Sequence, residues 1–327
     1  MEFTRISEID MPVSRVGLGT WAIGGTFWGG SNEKDSIKTI LKALDSGINL
    51  IDTAPVYGYG FSEEVVGKAL RMYGARSKVV VATKAGLQWQ DGKIRRNASP
   101  ARLRHELEDS LKRLKVKRID LYQLHWPDPS TPLEETAETL LRFKEEGKIR
   151  AIGLSNFSTA GMTKFSEVAP FQTVQPPYNL FEREMEKDIL PWSRDAGITI
   201  LGYSALCRGL LSGRVGLGTE FPDGDIRRVD PKFQSPRMDR YLAAVNELDA
   251  FAREKFGKRV VHLALRFILD KLQDGIALWG ARKPEQLAPL EDCFGWGLDQ
   301  AALIEINGIL SRNIPEPIGV QFLAPPQ

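Results

Sequence analysis

Four residues of this sequence combine side-chain types that move protons with positions that would gather them: Asp52, Tyr57, Lys84 and His125. Each lies at or just beyond the end of a short apolar run. Asp52 closes "NLIDT", Lys84 closes "KVVVATK", His125 closes "RIDLYQLH", and Tyr57 follows in the loop after Asp52. A tyrosine hydroxyl, with a reference pKa of about 10, is a poor proton donor near neutrality. A cation within ~4 to 6 Å favours the phenolate and lowers that value, and a buried lysine needs a counter-charge such as Asp52. Asp52, Lys84 and Tyr57 are therefore expected to form a tuned general acid, with His125 orienting the same substrate oxygen. Singly, each has a plain structural use: an Asp caps the next helix, a Lys is solvated, a Tyr is half-buried core. What argues for chemistry is that consecutive units carry them.

The runs that must position these residues recur along the chain. "RVGLGTW" near 15, "NLIDT" near 49, "KVVVATK" near 78 and "RIDLYQLH" near 118 are followed by "IRAIGLSN" near 149, "FQTVQPP" near 171, "ITILGYS" near 198 and "GIALWG" near 275. They read as strands, because they are short, apolar and rich in β-branched residues. Between them lie helical patterns. Ser62 is expected as an N-cap with Glu63 and Glu64 in the first turn, and Ser99-Pro100 marks another start. Gly47 and Gly147 are expected to close helices. Apolar strands alternating with helices imply parallel neighbours, and eight such units imply a closed (β/α)8 TIM barrel. An open dinucleotide-binding sheet is disfavoured, since "GLGTWAIGG" has Ala22 where the glycine fingerprint needs Gly. The interval before the last strand is long, and residues 213–236 are Gly, Pro and charge rich, as in a functional surface loop. In such a barrel chemistry sits at the C-terminal strand ends. Ser155, Asn156, Gln175, Tyr203 and Ser204 end the later strands and join the candidate site.

Bulk properties narrow the function classes. With 42% hydrophobic and 26% charged residues among 327, the chain reads as one globular domain, 1–327. A net charge of +2 gives no reason to expect nucleic acid, and the basic run "LKRLKVKR" reads as a helix C-terminus. No apolar run is long enough to span a bilayer, and no signal-peptide pattern opens the chain. Two distant cysteines, Cys207 and Cys293, fit a reducing compartment, so cytoplasmic residence is expected. No metal site is expected.

Several motifs in one order resemble the aldo-keto reductases over nearly the whole length: "LGTW" at 18, "GINLIDTAPVYGYGFSEEVVGKAL" at 47, "VVVATK" at 79, "IDLYQLHWPDP" at 119, "GKIRAIGLSNF" at 147, "VQPPYNLFER" at 174, "GYSALCRGLLSGR" at 202 and "GARKPEQL" at 280. The resemblance implies a barrel capped at its base by an N-terminal β-hairpin; the long loop after strand 7 is the 213–236 segment read above from its composition. It implies NAD(P)H-dependent reduction of aldehydes or ketones, reversible toward alcohol oxidation. It makes Asp52, Tyr57, Lys84 and His125 a catalytic tetrad with Tyr57 as proton donor.

Cofactor residues follow from the same resemblance. Ser155, Asn156 and Gln175 would hold the carboxamide, Tyr203 would stack on nicotinamide, and Ser204, Leu206, Arg208, Gly209, Leu210 and Ser212 would wrap the pyrophosphate. Thr20, Trp21, Gly280, Ala281, Arg282 and Gln286 complete the set. Arg282 stands where the family places a cation for the adenosine 2′-phosphate, which favours NADPH, with NADH possible. Ala205, Cys207, Trp279 and Leu290 depart from the family pattern without touching the tetrad. Trp21, Trp28, Trp89 and Trp126 are expected as aromatic walls of a pocket for a small-molecule carbonyl substrate. Two other readings stay open: a cofactor-sensing auxiliary subunit with little turnover, and a Schiff-base aldolase using Lys84.

Overall fold

The computed structural model describes residues 1–326; Gln327, the end of the C-terminal tail, lies outside them. The strands are β1 (Phe3–Thr4), β2 (Val13–Ser14), β3 (Val16–Gly19), β4 (Leu50–Asp52), β5 (Val80–Ala85), β6 (Leu87–Gln90), β7 (Lys93–Arg96), β8 (Ile119–Leu124), β9 (Ile149–Ser155), β10 (Thr173–Gln175), β11 (Thr199–Gly202) and β12 (Ile276–Gly280). The helices are α1 (Trp21–Gly24), α2 (Glu33–Asp45), α3 (Phe61–Tyr73), α4 (Pro100–Leu114), α5 (Leu133–Glu145), α6 (Thr159–Ser166), α7 (Ile189–Asp195), α8 (Arg237–Phe256), α9 (Val260–Leu272) and α10 (Gln300–Asn313).

Eight strands close into a parallel barrel in the order β3, β4, β5, β8, β9, β10, β11, β12 and back to β3. The expected (β/α)8 barrel is thus the observed fold, and each expected strand is present. Two cores follow from the strand period of two. Outward residues such as Ile51, Val81, Tyr122, Ile152 and Val174 pack with the helices. Inward residues Leu50, Val80, Ala82, Leu121, Ala151, Leu201, Ile276 and Leu278 form a separate cluster with Ile6, Ile9 and Val13. These last three belong to the N-terminal hairpin, where β1 and β2 pair antiparallel and plug the base. Two residues further up β4, β5 and β8, the inward positions change from apolar to polar at Asp52, Lys84 and Gln123, and that change locates the site.

Two local expectations are corrected. Ser62 does not cap α3; Gly60 does, and Ser62 lies buried inside the helix, donating to Thr20 Oγ1 at 2.8 Å. A hydroxyl is useful there because it ties the helix to the end of β3. The second difference is an unforeseen hairpin, β6 and β7, standing on the barrel mouth after β5. Its turn, Asp91-Gly92, has both residues at positive φ, the requirement of a two-residue type I′ hairpin turn and the reason for that dipeptide.

Candidate active site

The period that sorts the core also delivers the polar layer. Asp52 follows inward Leu50 by two, Lys84 follows Ala82, Gln123 follows Leu121, and Gln175 follows Thr173. All four are buried at the C-terminal end of the barrel. Asp52 accepts from each neighbour: from Lys84 Nζ at 2.6 Å on Oδ2, and from Gln123 Nε2 at 3.1 Å and Gln175 Nε2 at 2.9 Å on Oδ1. Lys84 Nζ also donates to Thr53 O at 3.0 Å and Tyr57 Oη at 3.2 Å. Its three donors therefore have three acceptors, which a fully buried ammonium requires.

Burial opposes the charge on Lys84, but Asp52 and the Tyr57 hydroxyl outweigh it, and its pKa lies above the usual lysine value. The aldolase reading fails here: an amine held protonated, walled off from the cavity by Tyr57, is not a nucleophile. Tyr57 itself corrects an expectation. Burial raises its pKa more than the Lys84 cation lowers it, so the hydroxyl keeps its proton well beyond neutrality. His125 extends from the end of β8, its backbone N–H bonded to Ala85 O at 2.9 Å and its ring edge-on to Tyr57 with centroids 5.8 Å apart. Burial, helped by the Lys84 cation, holds its pKa well below the ordinary histidine value, so the imidazole is neutral.

Tyr57 and His125 open into a cavity of about 440 Å³. Above them its walls are Trp21, Trp28, Trp126, Val56, Leu87 and Ile94, with Leu323 and Pro325 of the C-terminal tail. Leu87 and Ile94 come from the unforeseen hairpin. Trp89, expected in this wall, does not line the cavity. It packs against Tyr59, with ring centroids 5.8 Å apart, beneath Arg102.

Away from Tyr57 the cavity becomes a trough. Ser155, Asn156, Gln175 and Tyr203 line it, with Ser204, Leu206, Arg208, Gly209 and Ser212 and with Gly280, Ala281, Arg282 and Gln286. Tyr203 Oη donates to Asn156 Oδ1 at 3.0 Å, and Asn156 Nδ2 donates to His125 O at 3.0 Å, so this group is ordered before anything binds. Three expected contacts differ. Thr20 is buried below the floor and bonds Asp52 O at 2.9 Å, and Leu210 is buried behind the trough. The Arg208 guanidinium is consumed by Glu182 and by Asp230, the latter at 2.5 Å, in a buried cluster that includes Lys232. Only its backbone remains for a ligand.

The trough fits a dinucleotide on its own evidence. Trp28 Nε1 is a buried donor without a partner among the described residues. Gly280 stands over open space. Gln286 Oε1 accepts from the backbone N–H groups of Arg282 and Lys283, at 2.9 and 3.0 Å, which fixes the Arg282 segment.

Sequence reasoning missed Gln123, although a glutamine in "DLYQLH" at the inward phase of an apolar strand was a visible signal. It also missed Gly24, which packs on the Tyr57 backbone, and the arginines Arg214, Arg227 and Arg259, which line the trough.

The aldo/keto reductase family model matches residues 15–310. The chain is 55% identical over 326 residues to the aldo-keto reductase YhdN of Bacillus subtilis, covering 100% of this chain and 98% of that protein. It is 37% identical over 297 residues to an NADH-specific methylglyoxal reductase of Escherichia coli, covering 86% and 90%. Among solved structures, the glycerol dehydrogenase AKR11B4 of Gluconobacter oxydans superposes with a TM-score of 0.89 at 52% identity, covering 98% and 99%. An aldo/keto reductase of Klebsiella pneumoniae in complex with NADP and acetate superposes at 0.71 with 26% identity over 94% of both chains.

Proposed function

Because the chain belongs to the aldo/keto reductase family, we propose that it is an NADP-dependent oxidoreductase that reduces aldehydes or ketones to alcohols and runs in reverse on alcohols. One observation carries the assignment of roles: a single buried ammonium, Lys84 Nζ, touches both Asp52 and the hydroxyl of Tyr57 at the cavity floor.

The bound nicotinamide supplies the hydride that goes to the carbonyl carbon. Everything else is done by the chain. Tyr57 gives its hydroxyl proton to the carbonyl oxygen as negative charge builds there. The phenolate left behind lies 3.2 Å from Lys84 Nζ, so charge lost from the substrate oxygen is met by a preformed cation. Asp52 holds that cation in place and keeps it charged. The neutral imidazole of His125 can donate a hydrogen bond to the same oxygen, orienting the carbonyl toward Tyr57. In the direction of alcohol oxidation the phenolate takes the proton back. The aromatic and aliphatic walls exclude water from the reacting oxygen.

Ser155, Asn156 and Gln175 would hold the carboxamide, and Tyr203 the ring. Arg282 carries the cofactor preference. Arg282 Nη1 donates to Trp28 O at 2.5 Å and Gly30 O at 3.2 Å, which anchors the guanidinium at the trough and leaves its other nitrogens for a 2′-phosphate. Relatives differ in cofactor, one named NADH-specific and another holding NADP, so the preference for NADP rests on Arg282.

The test is NADPH oxidation with a panel of aldehydes, sugars and quinones, on the wild type and Tyr57→Phe. The expected result is turnover of some carbonyl and a loss of ~10²-fold or more in the variant, with cofactor binding retained. Equal rates in the two proteins would overturn the role of Tyr57.

A further inference from the structure

The chain leaves the barrel at Gly86, between β5 and β6. Its φ is 89°, a left-handed backbone, and a Cβ there would stand 2.7 Å from the Leu124 side chain, so the turn needs glycine. Turning out of the barrel leaves the Gly86 N–H in need of another acceptor, and Glu106 of α4, itself buried, supplies one at 2.7 Å. One helical turn earlier, Arg102 donates to the other Glu106 oxygen at 3.0 Å and to Leu87 O at 3.4 Å. Its guanidinium carbon lies 5.5 Å from the centroid of the Trp89 ring. Two side chains of α4 thus hold Gly86, Leu87 and Trp89.

What they hold is part of the cavity wall. The hairpin has strands of only four residues each, and a lone pair of such strands is marginally stable in water. Leu87 and Ile94 line the cavity from it. Arg96, opposite Leu87 in the hairpin register, grips the C-terminal tail: its Nε donates to Pro325 O at 3.0 Å and its backbone N–H to Pro326 O at 3.4 Å. Arg96 Nη1 donates to Pro127 O at 3.1 Å, which ties the same side chain to the loop after β8. Leu323 and Pro325 of the tail also line the cavity. Four of the wall residues above Tyr57 therefore depend on one small hairpin rooted at Gly86.

We propose that Glu106 and Arg102, which do not line the cavity, are positioning residues for the substrate wall: by fixing the root of the hairpin they seat hairpin and tail together over the apolar part of the carbonyl substrate. This rests on the carbonyl-reducing reading above. If Glu106 did no more than satisfy a buried N–H, its loss would leave the tail undisturbed.

The test compares wild type, Glu106→Leu, Glu106→Gln and Arg102→Met in two measurements. Hydrogen exchange followed by mass spectrometry should show faster exchange in Glu106→Leu and Arg102→Met over residues 86–97 and also over 318–326, with α9 unchanged. Steady-state kinetics use hexanal, which carries a long apolar chain, and acetaldehyde, which carries one methyl. KM for hexanal should rise ~10-fold, the scale of one or two methylene contacts, while KM for acetaldehyde and both kcat values stay within about threefold. Glu106→Gln keeps an acceptor for Gly86 and should lie close to wild type in both measurements. Faster exchange in the hairpin alone, or evenly across the chain, would overturn the proposal, as would equal changes in KM for the two aldehydes or no change at all. If Glu106→Leu does not fold, Arg102→Met decides by the same criteria. Wild-type turnover of neither aldehyde would count against the carbonyl reading, and the exchange measurement would still decide whether α4 holds hairpin and tail.

Discussion

Gly24 and Tyr57 are in backbone contact: a Cβ built on Gly24 would stand 2.6 Å from the Tyr57 carbonyl carbon and 2.8 Å from Gly58 N. The short helix α1 therefore braces the loop that aims the proposed proton donor. Gly24→Ala must push that loop away, because both clashing partners are main chain. Misplacing a reacting group by about 1 Å costs on the order of 10²-fold. Steady-state kinetics should show kcat down ~10- to 100-fold with dinucleotide affinity unchanged within about twofold; wild-type kcat would show that the contact does not position Tyr57.

Lys84 and Asp52 should behave as a unit in stability. Lys84→Met leaves a buried carboxylate with no cation, and breaking such a pair from one side costs about 3 to 5 kcal/mol. Adding Asp52→Asn removes the stranded charge, so urea denaturation should find the double variant more stable than Lys84→Met, with both inactive. A double variant less stable than the single would contradict the pairing.

Cofactor preference should follow Arg282. Arg282→Ala is expected to weaken NADPH by ~10-fold or more relative to NADH, read as Kd for each. Equal weakening of the two would count against a 2′-phosphate contact.

The neutral state of His125 has a kinetic signature. Burial and the Lys84 cation hold its pKa well below the ordinary value, so it gains no proton near pH 6.5. The pH profile of carbonyl reduction should pass through that region without an inflection that His125→Gln abolishes.

A second titration belongs to stability. Glu106 is buried beneath the mouth, accepting from Gly86 N–H at 2.7 Å and Arg102 at 3.0 Å. Burial pushes its pKa up to about 7. A carboxyl raised above its unfolded value contributes stability that is full below about pH 4.5 and lost as pH rises through about 7. Glu106→Gln keeps an acceptor for Gly86 and removes the proton. Its stability relative to wild type should therefore improve between pH 5 and 8, by on the order of 3 kcal/mol. A difference that stays flat with pH would mean that Glu106 is ionised throughout.

Legibility differed from residue to residue. The strands were readable because apolar runs of the right length are bounded by turn residues, and parallel strands need helices between them. Asp52, Lys84 and His125 were readable because strand ends in a barrel converge. The second hairpin was readable and overlooked, since "WQDGKIR" carries an Asp-Gly turn between strand-forming residues. Trp89 was misplaced because a tryptophan beside a strand end can turn to either face of that hairpin, and only the partner, here Tyr59, decides. Ser62 was misread because the preference of serine for N-caps is local, while its bond to Thr20 joins segments 42 residues apart.

By itself the sequence determined the barrel, its polar mouth and the residue types available there, because these depend on period and order along the chain. Tertiary structure alone decided the balance between burial and the Lys84 cation that leaves Tyr57 protonated and His125 neutral. It also decided where the buried charges are spent, Arg208 on Glu182 and Asp230, and Glu106 on Gly86 at the root of the second hairpin. Those outcomes depend on distances between groups far apart in the chain and on how much water is excluded around them.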